Sequence, residues 1–381
     1  MKILLLSSRF FPHVGGVEKV IESLAKKLSK NNDITVLSSL DETSKNILKI
    51  ETEIINKDSY RLKRIWMNVP RSFSGFLIFP FRFVRGIFGL VRFLKSEKPD
   101  VINFHFLDDV SLYLWASRFF YKTPLVVNIH GNDLHVFSKN LFYSFFISSL
   151  LNGSDKIIVN SKYMMNDLLN FFKLDSSKIE IIPNGIDLKY IEGIKPKKYI
   201  KEDYIFYVGR FVRKKGVDIL IRAFSEIKSK DLKLVIEGKG EELNSIKSLI
   251  SDIKLSDRAI LAGGNLSDEE KFSYMKGALA AVIPSRIEPF GIVALEYLSS
   301  GVPLIASKTG GLVDLLEDKK NCLFFNNEDI NDLTSKIDTL IDNKNLQEKL
   351  SGNGLELARE YTWDEVSDKY LKLYKSVLIK P

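Results

Sequence analysis

The sequence predicts an α/β fold made of two doubly wound domains with parallel sheets. Three observations carry this reading. Short apolar runs rich in Val, Ile, Leu and Phe alternate with helical patterns along the whole chain. The alternation falls into two series, separated by Lys195-Pro196-Lys197-Lys198, which reads as a linker. A length of 381 residues suits about two domains at roughly 100–200 residues each.

The first series has expected strands at about 2–7, 33–38, 100–104, 124–129, 155–160 and 179–182. The opening run Met1-Lys2-Ile3-Leu4-Leu5-Leu6 is too short for a secretory apolar region and has no small-residue cleavage site, so it reads as the first strand. A helix is expected over 17–30, where Val17, Val20, Ile21, Leu24 and Leu28 share one face, and another over 162–172. The second series has strands near 204–208, 232–237, 259–262, 279–283, 303–306 and 322–325, with helices near 216–228, 240–252, 290–300 and 328–342. A final helix is expected at about 363–378.

Composition narrows the function classes. The chain is 45% hydrophobic and 27% charged, which excludes a disordered or fibrous protein. The single cysteine, Cys322, excludes an internal disulfide framework and a Cys-based zinc site, and points to a reducing, cytoplasmic setting. Net charge is +8, all of it accounted for by residues 60–98, which hold nine basic residues, one acidic residue and nine aromatics. Within that segment Arg82, Arg85, Arg92 and Lys95 recur at helical spacings, while Pro80 and the arginines interrupt any membrane span. The segment fits a basic amphipathic surface lying on an anionic membrane; a solvated basic helix face and nucleic-acid attraction are the alternatives.

Open parallel sheets bind ligands beyond the carboxyl ends of their strands. All four histidines, His13, His105, His130 and His135, follow expected strands of the first series. Pro12-His13-Val14-Gly15-Gly16-Val17-Glu18 joins a strand to a helix, where backbone N–H groups favour an anion; a plain tight turn is equally compatible, and the spacing is not G-x-G-x-x-G. Gly209-Arg210-Phe211-Val212-Arg213-Lys214-Lys215-Gly216 places cations between a strand and a helix, where they suit a diphosphate; a solvated basic loop is the alternative. In Pro284-Ser285-Arg286-Ile287-Glu288-Pro289-Phe290-Gly291-Ile292, Pro289 is expected to start a helix, with Phe290, Gly291 and Ile292 in its first turn and Glu296 two turns along. Carboxylates suit sugar and ribose hydroxyls because each oxygen accepts two hydrogen bonds. Thr309-Gly310-Gly311 is another amide-rich turn near strand ends.

Taken in order, these residues resemble the retaining nucleotide-sugar glycosyltransferases of family 4, the group 1 glycosyltransferases. The resemblance runs through Gly15-Gly16, His130-Gly131-Asn132-Asp133, Asn160-Ser161, Pro183-Asn184-Gly185-Ile186-Asp187, Gly209-Arg210, Lys215-Gly216, Glu288 to Glu296, Gly310-Gly311 and Tyr361-Thr362-Trp363. It implies a GT-B fold: an acceptor-side Rossmann-like domain over 1–190, a donor-binding one over 191–362, and helix 363–381 crossing back onto the first domain. The resemblance further implies that Arg210 and Lys215 hold the donor diphosphate, Glu288 the transferred sugar and Glu296 the ribose. Phe290, Gly291 and Ile292 would offer backbone contacts, Gly15 and Gly16 would approach the diphosphate, and Gly263-Gly264 would pack the base. His130 would lie near the reacting sugar. The chain has no Asp-x-Asp to hold a divalent ion, so no metal or other cofactor is expected; Arg210, Lys215 and helix N-termini would do that electrostatic work.

The expected reaction is transfer from a UDP-sugar or GDP-mannose to a saccharide or lipid-linked saccharide by a front-face mechanism with no covalent nucleophile. An anionic membrane is an expected partner, at its cytoplasmic face, and nucleic acid is not. The rivals are a nucleotide-sugar epimerase or hydrolase of the same fold and a non-catalytic nucleotide-sugar-binding subunit.

Overall fold

A computed structural model describes residues 1–11, 15–39, 55–57, 60–67, 73–131, 133–134 and 141–379, apart from the side chains of 55–57, 73–78 and 141–143. His13, Asn132 and His135 lie outside the described residues. Contacts divide the chain into one unit of residues 1–183 with 363–381, and a second of residues 184–362.

In chain order the first unit runs β1 (Lys2–Ser7), α1 (Gly16–Leu28), β2 (Asp33–Ser39), β3 (Ile55–Lys57), β4 (Tyr60–Ile65) and α2 (Phe73–Glu97). It continues with β5 (Val101–His105), α3 (Val110–Ser117), β6 (Leu125–Asn128), α4 (Leu141–Asn152), β7 (Lys156–Val159), α5 (Lys162–Phe171) and β8 (Ile179–Ile181). The described strands form a sheet of order β3-β4-β2-β1-β5-β6-β7-β8, parallel except for β3 against β4. β1 and β5 are the neighbours from which the strand order runs in opposite directions. The central strands β1, β5 and β6 are almost wholly buried, as a parallel sheet covered on both faces requires. One face packs Leu4, Leu6, Ile102 and Phe104 with Leu90, Leu94, Tyr113 and Ile147 from α2, α3 and α4.

The second unit runs α6 (Leu188–Gly193), β9 (Tyr204–Val208), α7 (Val217–Glu226), β10 (Lys233–Glu237), α8 (Leu243–Asp252), β11 (Ala259–Leu261), α9 (Asp268–Gly277) and β12 (Ala280–Ile283). Then come α10 (Ile292–Ser299), β13 (Leu304–Ser307), α11 (Gly310–Leu315), β14 (Leu323–Phe325), α12 (Ile330–Ile341) and α13 (Lys344–Arg359). Its sheet is fully parallel, order β11-β10-β9-β12-β13-β14, and reverses between β9 and β12. The chain ends in α14 (Trp363–Leu378), which belongs to the first unit. There it packs against α1, with a 2.8 Å ion pair between Lys27 and Asp364.

Three expectations are corrected. Lys195-Pro196-Lys197-Lys198 is not the connection between units: the chain crosses at Pro183/Asn184, seven residues before the expected boundary. Ile186, Ile191 and Ile194 are buried in the second core, and the Lys197 N–H donates to Ser273 Oγ at 2.6 Å. Residues 60–98 are not one amphipathic segment either. Tyr60–Ile65 is strand β4, with Tyr60, Leu62 and Ile65 buried, and its cations serve the fold: Arg61 pairs with Asp33 at 2.6 Å and Lys63 with Glu97. Finally, Phe290 is not in the first turn of α10. That helix begins at Ile292 with Gly291 as its N-cap, and the Phe290 ring is buried beside Tyr361.

Candidate active site

In the second unit the chemistry gathers where the sheet reverses, at the carboxyl ends of β9 and β12. The loop after β9 carries Arg210, Lys214 and Lys215 into α7; the loop after β12 carries Ser285 and Glu288 into α10. Lys215 Nζ lies 2.5 Å from Glu288 Oε2, so one ion pair spans the two loops. Ser285 Oγ donates to the same oxygen at 3.2 Å. Glu288 is only 8% exposed, so its carboxylate is desolvated and held by these partners. Burial, followed by the charges of Arg210 and Lys215, lowers the Lys214 ammonium to about 8. Three cations thus share one short loop and repel one another, with Arg210 exposed to solvent. Such a cluster attracts a polyanion.

Glycines let the loops close. Gly216 ends the cationic loop at φ +65°, where a Cβ would stand 2.0 Å from the Pro284 carbonyl oxygen. Gly310, at φ +51°, brings the turn after β13 against Glu288: its Cβ would meet the Glu288 carbonyl at 2.2 Å, and the Gly311 N–H donates to that carbonyl at 2.8 Å. Three loops after three strands are thereby tied to Glu288. Arg286 does not join the cations. It makes a two-point pair with Asp218, both contacts 2.8 Å, and a further bond to Glu328.

Glu296, one residue into the second turn of α10, pairs with Lys271 of α9 at 2.7 Å. At the end of β10, buried Glu237 accepts from the N–H groups of Gly264 (3.0 Å) and Leu266 (3.3 Å), which shapes the Gly263-Gly264 turn, and open space faces Gly263. Sequence reasoning missed Lys214, Ser285, Lys271 and Glu237 as contributors. Lys214 was legible in the basic loop; the others become visible only through burial and pairing.

In the first unit the corresponding reversal lies between β1 and β5. Gly15 caps α1 without a side-chain bond, and Gly16, the first helical residue, is exposed, with nothing within 4 Å of its Cβ side. His105 ends β5 and His130 follows β6. Their rings stack with centroids 5.4 Å apart, and His105 Nδ1 lies 3.2 Å from His130 Nε2. Burial lowers His130 to about 4 and His105 well below the usual range, so both rings are neutral at pH 7. The Asp133 carboxylate accepts from the N–H groups of Leu107 (3.2 Å), His130 (3.1 Å) and Gly131 (2.7 Å), which fixes the His130 turn against the loop after β5. Asp108 is pushed up to about 7 by burial. Of the four cations assigned to the membrane surface, Arg85, Arg92 and Lys95 are exposed, whereas Arg82 is half-buried and stacks 5.7 Å over the Trp66 ring.

Two parallel-sheet Rossmann-like units with loop sites at their switch points are the parts of a GT-B sugar transferase. Comparison with known proteins agrees. The family model "Glycosyltransferase Family 4" matches residues 14–190, and "Glycosyl transferases group 1" matches residues 192–356. An uncharacterized glycosyltransferase of Methanocaldococcus jannaschii is 30% identical, with 99% of each chain covered. The chain therefore belongs to the group 1, family 4 glycosyltransferases, and it is a sugar-transferring enzyme. A second relative, from Campylobacter jejuni, is 26% identical over 94% of this chain and 95% of its own length. It is named as an N-acetylgalactosamine-N,N'-diacetylbacillosaminyl-diphospho-undecaprenol 4-alpha-N-acetylgalactosaminyltransferase. Among solved structures, sucrose-phosphate synthase from Thermosynechococcus elongatus superposes with a TM-score of 0.82 at 22% identity, covering 99% of this chain and 98% of that one. Anabaena HepE in complex with UDP gives 0.79 at 18% identity, covering 99% and 100%.

Proposed function

We propose that this glycosyltransferase uses a nucleoside-diphosphate sugar as donor and a saccharide, free or lipid-linked, as acceptor, with retention at the anomeric carbon. The observation that carries the reading is the Lys215–Glu288 pair across the β9/β12 reversal, with Arg210 and Lys214 beside it. A diphosphate brings the anionic charge that this cation cluster attracts. Glu288 keeps acceptor capacity for sugar hydroxyls, and Glu296 for the ribose.

In the proposed step the anomeric C–O bond to the diphosphate breaks as the acceptor oxygen forms its bond to the same face of that carbon. The acceptor's proton passes to the departing phosphate oxygen, and nucleoside diphosphate leaves. Arg210 and Lys215 stabilise the charge that grows on the leaving group. In this step Glu288 binds the sugar and does not attack it, its Oε2 held by Lys215 and Ser285. Neutral His130 offers a hydrogen bond rather than a charge to the sugar. The lipid-linked form of the acceptor draws support from the undecaprenol-diphosphate substrate in the Campylobacter relative's name.

Calorimetric titration with UDP, GDP, ADP and their common sugars tests the donor site. One nucleoside diphosphate is expected to bind wild type and to lose most of its affinity in Lys215→Ala; absence of binding by any of them defeats the reading. Release of nucleoside diphosphate is expected to require acceptor and to persist in EDTA. Release without acceptor would instead favour the hydrolase alternative, and a trapped glycosyl adduct on Glu288 would overturn the front-face step.

A further inference from the structure

The first unit exposes large aromatic side chains that its core does not explain. Phe81 and Phe88 of α2, Phe119 and Phe120 just after α3, and Phe145 of α4 are each between 59% and 72% exposed, and Val84 joins them at 50%. They are connected. The Phe88 and Phe120 rings lie 6.2 Å apart; Phe119 packs on Trp115 at 5.2 Å, Trp115 on Phe146 at 4.7 Å, and Phe146 on Phe145 at 5.4 Å. Two groups of rings, joined through the Phe119-Phe120 peptide, thus link three neighbouring helices. Contiguous exposed apolar surface of this kind marks an interaction site.

Charge says what covers it. At about 100° per residue, Phe81, Val84, Arg85, Arg92 and Lys95 all fall within roughly 60° of Phe88 around the α2 axis. The stripe therefore mixes large apolar groups with cations and no acid, and exposed Lys122 follows Phe119-Phe120 two residues on. No helix of the described residues is long and apolar enough to cross a membrane. A face of aromatics among cations suits the plane of an anionic bilayer, where rings enter the headgroup layer and the cations meet lipid phosphates. We propose that the outer face of α2, α3 and α4 is a membrane-docking surface for anionic lipid. The inference deepens the lipid-linked acceptor reading and rests on it, but its test uses neither donor nor acceptor, so vesicle binding and nucleotide binding fail separately.

The full-length protein is mixed with phosphatidylglycerol-containing vesicles or with phosphatidylcholine vesicles and sedimented. Wild type is expected to partition to the anionic vesicles only and to be released by salt. Arg92→Gln/Lys95→Gln is expected to weaken partitioning roughly 30-fold, and Phe88→Ser/Phe120→Ser more than tenfold, with unchanged circular dichroism and unchanged nucleotide affinity. Absence of binding at low salt overturns the proposal, as does binding that both variants leave intact. Sedimentation velocity without lipid supplies the remaining outcome. If wild type is a dimer that Phe88→Ser/Phe120→Ser converts to monomer, the face is a subunit interface and the membrane proposal is wrong.

Discussion

At the scale of single residues, the two cations of the β9 loop separate catalysis from stability. Arg210 is exposed, so Arg210→Met should change stability by less than about 0.5 kcal/mol. Lys215 neutralises a nearly buried Glu288, so Lys215→Met should lower the melting temperature as well. Both should reduce kcat/KM by roughly 10²–10³, or about 3–4 kcal/mol, if each stabilises the leaving group as an oxyanion donor does. Near-normal turnover in either variant would remove that cation from the mechanism. His130 has a different signature. Its folded ring titrates at about 4, against 6.5 for the ordinary ring, so the unfolded chain takes up the proton first as pH falls. Stability from this group is complete above about pH 6.5 and is lost toward pH 4, by up to about 3 kcal/mol. Asp108, raised from 3.8 to about 7, contributes the opposite slope. The useful readout is therefore the difference between wild type and His130→Asn. The melting curves of the two proteins should differ by a constant above pH 6.5 and converge below it; a constant difference at every pH would mean that the ring is not desolvated. Arg210, Lys215 and Glu288 were legible in the sequence as candidates, because each lies in a strand–loop–helix motif whose residue types carry chemistry, and His130 through the family resemblance. The His105–His130 contact and the bond from Leu107 to Asp133 were not legible, since they join residues 25 and 26 positions apart whose proximity only the sheet creates.

At the scale of elements, glycine positions show which loops are geometrically fixed. Gly310 has a positive φ and no room for a Cβ, so Gly310→Ala should destabilise by more than about 1 kcal/mol and displace Glu288, with activity falling alongside. Gly352 is the control: it lies exposed within α13, and nothing stands near its Cβ side. Gly352→Ala should stabilise by about 0.8–1 kcal/mol through helix propensity alone. Thermal melts of the two variants should shift in opposite directions, and a harmless Gly310→Ala would show that the turn after β13 does not support the site. Strands and amphipathic helices were largely readable because buried parallel strands are short apolar runs and helices repeat near 3.6 residues. The strand Tyr60–Ile65 escaped because half of its residues are the cations Arg61, Lys63 and Arg64, whose charges are matched by Asp33 and Glu97 or by the Phe11 carbonyl. Pairing partners distant in sequence turned an apparent basic tract into sheet. Pro80 likewise reads as an interruption, yet it sits within the helix Phe73–Glu97.

At the scale of the whole molecule, the chain leaves its first unit at Pro183 and returns to it at Trp363. Within the second unit these two crossings are fastened together: the Ile186 N–H donates to the Tyr361 carbonyl at 2.8 Å, and Ile186 bridges to Thr362. The Lys-Pro stretch at 195–198 has a linker's composition, but the isoleucines before it are buried, and burial rather than composition sets the boundary. The returning helix is part of the first core. Trp363, Val366, Tyr370, Leu373, Tyr374 and Val377 are buried, Asn103 of β5 donates to the Tyr374 hydroxyl at 2.6 Å, and Asn128 of β6 donates to that of Tyr370. Changing both tyrosines to Phe removes two buried acceptors while keeping the rings. Each unsatisfied amide then costs about 1–3 kcal/mol, so Tyr370→Phe/Tyr374→Phe should melt several degrees below wild type. A chain ending at Thr362 should fare worse, because it strips a whole apolar face from the sheet; it is expected to aggregate or to lose the melting transition of its first unit. If that shortened chain melted as the full one does, α14 would be an appendage, and the discontinuous first unit would not be the folding unit its contacts describe.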